Sequence, residues 1–407
     1  MAGAEGRSEG TVGVRVRMNA RSTEEPNRVS SRLELLFDLT FVVAVASAVR
    51  ELAHTIEAGH ASSGVLPFLE VFFTIWWAWM NFTWFASSYD TDDVAYRVMT
   101  MLQMAGVLIL AAGVPAAAEG DFRTVTLGYL VMRVTLVAQW VRAAIEDPVR
   151  RRTALRYAVG ISVLQAGWLV WLWSAEAGVL SGGGLLPGFV VLAAFELAVP
   201  PWAERRNRTT WHPHHIAERY NLFTVILFGE TLFAASTGVA TVVRDGWTSS
   251  LSVVAGSGLV LMFALWWLYS LEPGGEALAA LRHRSYQWGY GHFGLFAALA
   301  ALGAGLEVAV SQSGHHAEIP ATTVGYAVAI PVAGFLVLLW AVHAPFIRRS
   351  VAGHIGPLLG AVAVVLVPQA APVVGSAGAV ALIAAVCVVV TALTVVSRQR
   401  RAVELRS

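Results

Sequence analysis

Apolar runs dominate the chain from residue 33 to residue 397, separated by short polar segments that carry most of the charge. Crossing the hydrocarbon core of a bilayer takes about 20 residues of helix. Twelve runs have that length, at 33–53, 66–86, 97–117, 123–142, 156–175, 180–201, 217–239, 249–271, 285–309, 321–343, 352–371 and 375–397. The last two are cut from one stretch without Arg, Asp or Glu, where "PQAAP" (Pro368–Pro372) supplies the expected turn. The pattern predicts an all-α, polytopic integral membrane protein of about twelve transmembrane helices.

The charges test that count. Counted with the N-terminus inside, one set of alternate loops collects Arg142 and Arg150–Arg152, then Arg205, Arg206 and Arg208, then Arg282 and Arg284, then Arg348 and Arg349. The opposite loops hold Arg50, Arg123 and Arg244, and the C-terminus adds Arg398, Arg400, Arg401 and Arg406. This is the positive-inside asymmetry. It predicts an even number of spans and a multi-pass protein of the cell (plasma) membrane with both termini cytoplasmic. Residues 1–30, polar and without an apolar period, read as a disordered cytoplasmic tail, and residues 398–407 as a second tail. "AVASA" (Ala44–Ala48) resembles a signal-peptide cleavage site, but the apolar run before it starts more than 30 residues in and contains Asp38, which argues against cleavage.

Three short matches relate the two halves. "LFDLTFVVAVASA" (36–48) aligns with "LFTVILFGETLFA" (222–234), "FFTIWWAW" (72–79) with "MFALWWLY" (262–269), and "PVRRR" (148–152) with "PFIRR" (345–349). Their common order and similar separations predict two parallel six-helix repeats, residues 31–204 and 205–397.

Composition narrows the function. Hydrophobic residues make up 56% of the chain and charged residues 14%, against about 25% charged in soluble domains, and the mean hydropathy is +0.61. The chain has no lysine and a formal net charge of +1, which argues against a nucleic-acid binder. Cys387 is the one cysteine, so neither a disulfide framework nor a thiolate metal cluster is available.

Ionisable residues at membrane depth mark function by default. Glu34 and Asp38 are four residues apart on one face of the first span; Glu34 suits the positive end of a helix dipole, while Asp38, deeper, calls for a buried polar contact. In "HPHHIAERYNLFTVILFGE" (212–230), His215, Arg219 and Glu230 share a face, Glu218 lies to one side, and Glu230 sits near the midplane. Arg133, midway along the fourth span, is expected to meet Glu230 where the halves touch. His212, His214 and His215 with Glu218 offer metal-ligand chemistry, but clustered histidines beside Arg and Pro at a membrane boundary more often cap a helix, and no metal is expected. Asp90, Asp92, Asp93 and Arg97 form a secondary set: a helix cap with an Asp93–Arg97 ion pair, a relay, or a diphosphate motif that lacks its second half. Gln165, His292 and His343 read as structural hydrogen-bond partners, and most of the 15 tryptophans as interfacial anchors.

"LELLFDLTFVVAVA" (33–46), "HHIAERYNLFTVILFGE" (214–230) and the "WW" helices together resemble the bacterial low temperature requirement protein A (LtrA) family over most of residues 30–400. The matching positions are Glu34, Phe37, Asp38, His215, Glu218, Arg219, Gly229 and Glu230; Thr40 and Asn221 depart from the pattern. The resemblance implies a polytopic membrane protein without an agreed biochemical activity. A fainter similarity, Arg219 with Phe223 and Phe37 with Asp38, touches a potassium-channel family with an R-x-x-x-F-S-D motif.

Three functions fit: a transporter or ion- or proton-coupled permease, an enzyme using a carboxylic acid on an isoprenoid-like substrate, and a non-catalytic scaffold or sensor. The transporter ranks first because two parallel six-helix repeats with acids at their interface suit alternating access or an ion path; no Walker, Rossmann or Ser-His-Asp signature sharpens the choice or implies a cofactor. The partners expected are the lipid bilayer and a small-molecule or ion substrate.

Overall fold

The computed structural model describes residues 13–23, 25, 28–180, 184–272, 274–314, 319–346 and 351–404. Among them all regular structure is helical, as lipid requires of a chain whose backbone polar groups must be satisfied internally. The first half carries α1 (Arg32–Glu57), α2 (Ala61–Tyr89), α3 (Val94–Ala118), α4 (Arg123–Glu146), α5 (Arg151–Glu176) and α6 (Leu185–Ala203). The second carries α7 (Pro213–Asp245), α8 (Ser249–Ser270), the short α9 (Gly274–Ala280), α10 (Ser285–Ser313), α11 (Ala321–His343), α12 (Val351–Leu366) and α13 (Ala371–Glu404). Each of the twelve expected runs overlaps one of these helices. Nine helical stretches among the described residues are long and apolar enough to cross a membrane. They fall on α2–α6, α8, α10, α11 and the continuous stretch from Ile355 to Arg400.

That last stretch departs from the expected turn. A 3₁₀ segment, Val367–Ala370, leads directly into α13. The break is at Gly375, with φ 73° and ψ 174°, a backbone region open to glycine and strained for other residues. Gly360 of α12 lies against Val390 of α13, so the chain folds back about a centre near residue 375. Proline marked the right neighbourhood, and Gly375 carries the non-helical backbone.

By its internal contacts the chain forms two compact units. The first comprises Met1–Thr40, Ala78–Leu110 and Phe122–His212; the second comprises Phe41–Trp77, Ala111–Asp121 and Pro213–Ser407. In the first unit, α4 packs on α5 and α5 on α6. Gly128 of α4 meets α3 backbone to backbone: a Cβ added there would lie 2.4 Å from the Leu110 nitrogen and 2.6 Å from the Gly106 oxygen. In the second unit, α10 packs between α7 and α11, and α8 against α13. Gly305 of α10 meets Ala327 of α11 as closely as Gly128 meets α3. Small residues let helices approach where no hydrophobic force drives them together.

Part of the segment expected to be disordered is ordered, while residues 1–12, 24, 26 and 27 of it lie outside the described residues. Residues 13–23 and 28–30 have no regular secondary structure but belong to the first unit, with Met18 fully buried. Arg28 donates to the carbonyls of Ala86 (2.9 Å) and Ser87 in the last turn of α2, and Arg17 donates to the carbonyl of Glu146 at the end of α4 (2.9 Å). Helix C-termini expose carbonyls with no partner of their own, at the negative end of the dipole. Arg17 and Arg28, which looked like parts of a solvated tail, satisfy them. The tryptophans also turn inward: Trp76, Trp77, Trp79, Trp140, Trp168, Trp171, Trp211 and Trp288 are buried, a majority of the 15. Arg348 and Arg349, and with them part of the third repeat match, lie outside the described residues.

Candidate functional site

α1 begins with a capping box. The Ser31 backbone N–H donates to the Glu34 carboxylate (2.8 Å) while the Ser31 hydroxyl accepts from the Glu34 N–H (3.3 Å). Glu34 therefore serves the helix start. One turn on, the Trp79 indole N–H of α2 donates to Asp38 Oδ1 at 2.7 Å, and both side chains are buried. The Phe37 and Phe82 rings pack tilted against each other, with centroids 4.0 Å apart. Asp38 thus makes the buried polar contact its depth called for.

Three aspartates join α2 to α3, and each has its own arginine. Arg21 pairs with Asp90 at 3.2 Å. Arg97 pairs with Asp92 through two bonds of 2.8 and 3.0 Å, not with Asp93 as the i,i+4 spacing suggested. Asp92 is free to turn that way because it adopts a left-handed φ of 51°. Asp93 caps α3 by accepting from the Tyr96 N–H (2.9 Å), accepts from the Val16 N–H (2.9 Å), and is held by Arg142. Burial raises the Asp93 carboxyl, but the Arg142 and backbone bonds outweigh it and bring it to about 2. At Asp90 burial and the nearby Glu34 prevail over Arg21 and Arg28 and push the carboxyl up to about 6. No two of these carboxylates face each other free of an arginine, as a magnesium-diphosphate clamp requires.

Arg133 finds its partner inside the first unit. Its guanidinium pairs with Glu196 of α6, both side chains 1% exposed. Tyr129 Oη and Trp168 Nε1 each donate to Glu196 Oε1 at 3.2 Å, and the guanidinium lies over the Tyr129 ring, 4.8 Å from its centroid. Glu196 answers the charge that the sequence reading assigned to Glu230. It was legible as a lone acid in the apolar "AAFELAVPP" (193–201), the same signal that singled out Glu230.

The second unit holds the remaining site residues. His215 and Arg219 are buried in the first turns of α7, and Glu218 is partly exposed. Tyr220, between them and the core, packs on Trp288 and His292, with centroids 4.7 and 4.9 Å away. His292 bonds the Trp288 carbonyl (2.7 Å) and the Tyr269 hydroxyl (3.3 Å), and His343 bonds the Leu339 carbonyl (3.1 Å), the structural roles expected of both. Gln165, in the first unit, departs from that expectation: neither amide atom has a hydrogen-bond partner among the described residues. No group of three or more His, Cys, Asp or Glu among the described residues is placed to hold a metal ion.

Glu230 lies seventeen residues into α7 by its numbering and is 4% exposed. Among the described residues, no hydrogen bond or ion pair reaches its carboxylate; Arg50 of α1 and Glu307 of α10 act on it through space. The next residue, Thr231, and Val49 close around Gly303 of α10, so these three helices converge here. Glu307, one turn beyond Gly303, also feels Arg50 and Glu57. Glu307 escaped the sequence reading, though "GAGLEVAV" (303–310) carries the same lone-acid signal.

Long apolar helices with charges sequestered in their packing define a multi-pass α-helical membrane protein. The family described as bacterial low temperature requirement A protein (LtrA) matches residues 29–394, and the chain belongs to that family. It is also similar to an uncharacterised protein, RA0937, of Rhizobium meliloti (strain 1021), with 26% identity over 254 residues. That match spans 58% of this chain and 57% of the relative's length. No solved structure matches.

Proposed function

We propose that the protein is a proton-coupled membrane permease in which Glu230 is the coupling carboxylate. The observation that carries this reading is the contrast between the buried acids. Glu34 caps a helix, Asp38 accepts from Trp79, and Glu196 neutralises Arg133. Glu230 is also buried, but among the described residues Arg50 and Glu307 alone act on it, from a distance. A buried acid that no donor fixes in one state can take up or release a proton as its surroundings change. Arg50, acting on both Glu230 and Glu307, would favour whichever carboxylate is ionised. In this reading twelve helices, including α1 and α7, cross the plasma membrane in two related sets of six, with both termini cytoplasmic. Alternating exposure of the site is the use such repeats are put to elsewhere.

Purified protein in liposomes carrying an internal pH dye tests it. An imposed substrate or ion gradient should drive proton movement in the unaltered protein and in Glu119→Gln, an exposed control. The movement should be lost in Glu230→Gln and altered in its pH dependence by Glu307→Gln. Equal rates in Glu230→Gln and the unaltered protein would overturn the reading.

A further inference from the structure

The second unit contains a cavity of about 610 Å³, within the roughly 300–1,000 Å³ range of small-molecule sites. Its floor is α10 and α11. Gly294, Ala297, Ala298 and Ala301, at i, i+3, i+4 and i+7, put a stripe of small side chains on one face of α10. Pro331 and Ala327 continue that surface on α11. The walls are Leu52 and Ile56 at the end of α1, and Phe68 and Leu69 on α2.

Polarity is distributed unevenly along it. The lining holds no charged side chain, and its hydroxyls belong to Ser62, Thr323 and Tyr326. Ser62 and Thr323 sit in the first turns of α2 and α11, and Tyr326 is one turn deeper. The Gln369 amide donates to the Tyr326 hydroxyl oxygen, which leaves the phenolic hydrogen for an acceptor. At the other end lie Gly294 and Leu338. Thr323 and Leu338 are 15 residues apart on α11, or about 22 Å at 1.5 Å per residue. Spreading 610 Å³ over that length leaves a mean cross-section of about 28 Å², room for one hydrocarbon chain. The rim residues Val65 and Ile330 are 48% and 61% exposed. Their exposure leaves the cavity open at the surface between α2 and α11.

We infer that this cavity binds a single-chain neutral lipid, an isoprenoid or fatty chain ending in an alcohol or carbonyl oxygen, admitted from the bilayer between α2 and α11. The three hydroxyls receive its oxygen, and the small-residue stripe of α10 takes its chain. A phosphate headgroup is disfavoured, because burying a charge among these walls with no cation in the lining is costly. The inference is independent of the proton-coupling reading, since it concerns different residues and binding alone.

The test is photo-labelling of the full-length protein in nanodiscs with a diazirine-bearing geranylgeraniol. Labelling should saturate, map to peptides of α2, α10 and α11, and be competed by unlabelled geranylgeraniol. It should fall at least ten-fold in Ala298→Trp, which fills the cavity, and several-fold in Thr323→Val, which removes a hydroxyl. If Ala298→Trp does not fold, Ile330→Trp at the rim replaces it. Non-saturable labelling across all lipid-facing helices would overturn the inference. So would equal labelling of the same peptides by a diazirine phosphatidylglycerol, the mark of ordinary bilayer lipid.

Discussion

At the scale of single residues, membrane burial makes a charge's partner matter more than its position. The Arg133–Glu196 pair has no water to fall back on, and removing one partner of such a pair costs about 3–5 kcal/mol, whereas replacing both with apolar groups can be neutral. Glu196→Leu and Arg133→Leu should each lower the unfolding midpoint of the purified protein sharply. The double substitution should recover most of the loss; if it is as unstable as the singles, the pair does not act as a unit. The loop aspartates give opposite pH signs. The depressed Asp93 stabilises the fold above its ordinary value of 3.8, and that contribution is lost as pH falls through about 2. The raised Asp90 favours the fold below 3.8, and its contribution is lost as pH rises through about 6. Asp90→Asn should therefore flatten the decline in unfolding midpoint between about pH 4 and 6, while Asp93→Asn should lower the midpoint at neutral pH.

At the scale of elements, the arginines on which the proposed orientation rests also finish helices. Arg28 reaches the end of α2, and Arg17 and Arg151 the end of α4; Arg398 reaches the carbonyl after α8, and Arg284 a carbonyl just past α11. Even-numbered spans would end on the arginine-rich side, so the positive-inside charges meet exposed C-terminal carbonyls. Helix contacts depend on a few positions without a side chain. Gly128→Ala would place a carbon 2.4 Å from a backbone nitrogen of α3, which no rotamer change relieves. It should destabilise the protein by more than 1 kcal/mol and separate α3 from α4. Gly256→Ala, with nothing within 4 Å, should be neutral or stabilising by about 0.4–1 kcal/mol through the unfolded chain. A thermal-shift comparison of the two in one detergent separates packing from helix propensity.

At the scale of the whole molecule, the reading to test is parity. With Cys387 buried and replaced by serine, single cysteines at Val14 and Arg400 should react with an impermeant maleimide from the cytoplasmic side. A cysteine at Trp247, 63% exposed beside the start of α8, should react from the opposite side. Labelling of Val14 and Arg400 from opposite sides would require an odd number of crossings.

The sequence by itself determined the helices, their approximate ends and the family, because bilayer thickness and backbone satisfaction leave an apolar run of that length little choice. It also marked Glu34 as a helix-starting acid, since a capping box is local. Tertiary structure alone decided that Arg133 belongs to Glu196, that Arg97 takes Asp92 rather than Asp93, and that the N-terminal arginines close helix ends. Those choices depend on which distant atoms come within 3 Å, and hydrophobic periodicity carries no record of that. The reversal at Gly375 and the cavity beside α10 belong to the same class: each follows from how helices meet, and the code for their meeting is spread over residues far apart in the chain.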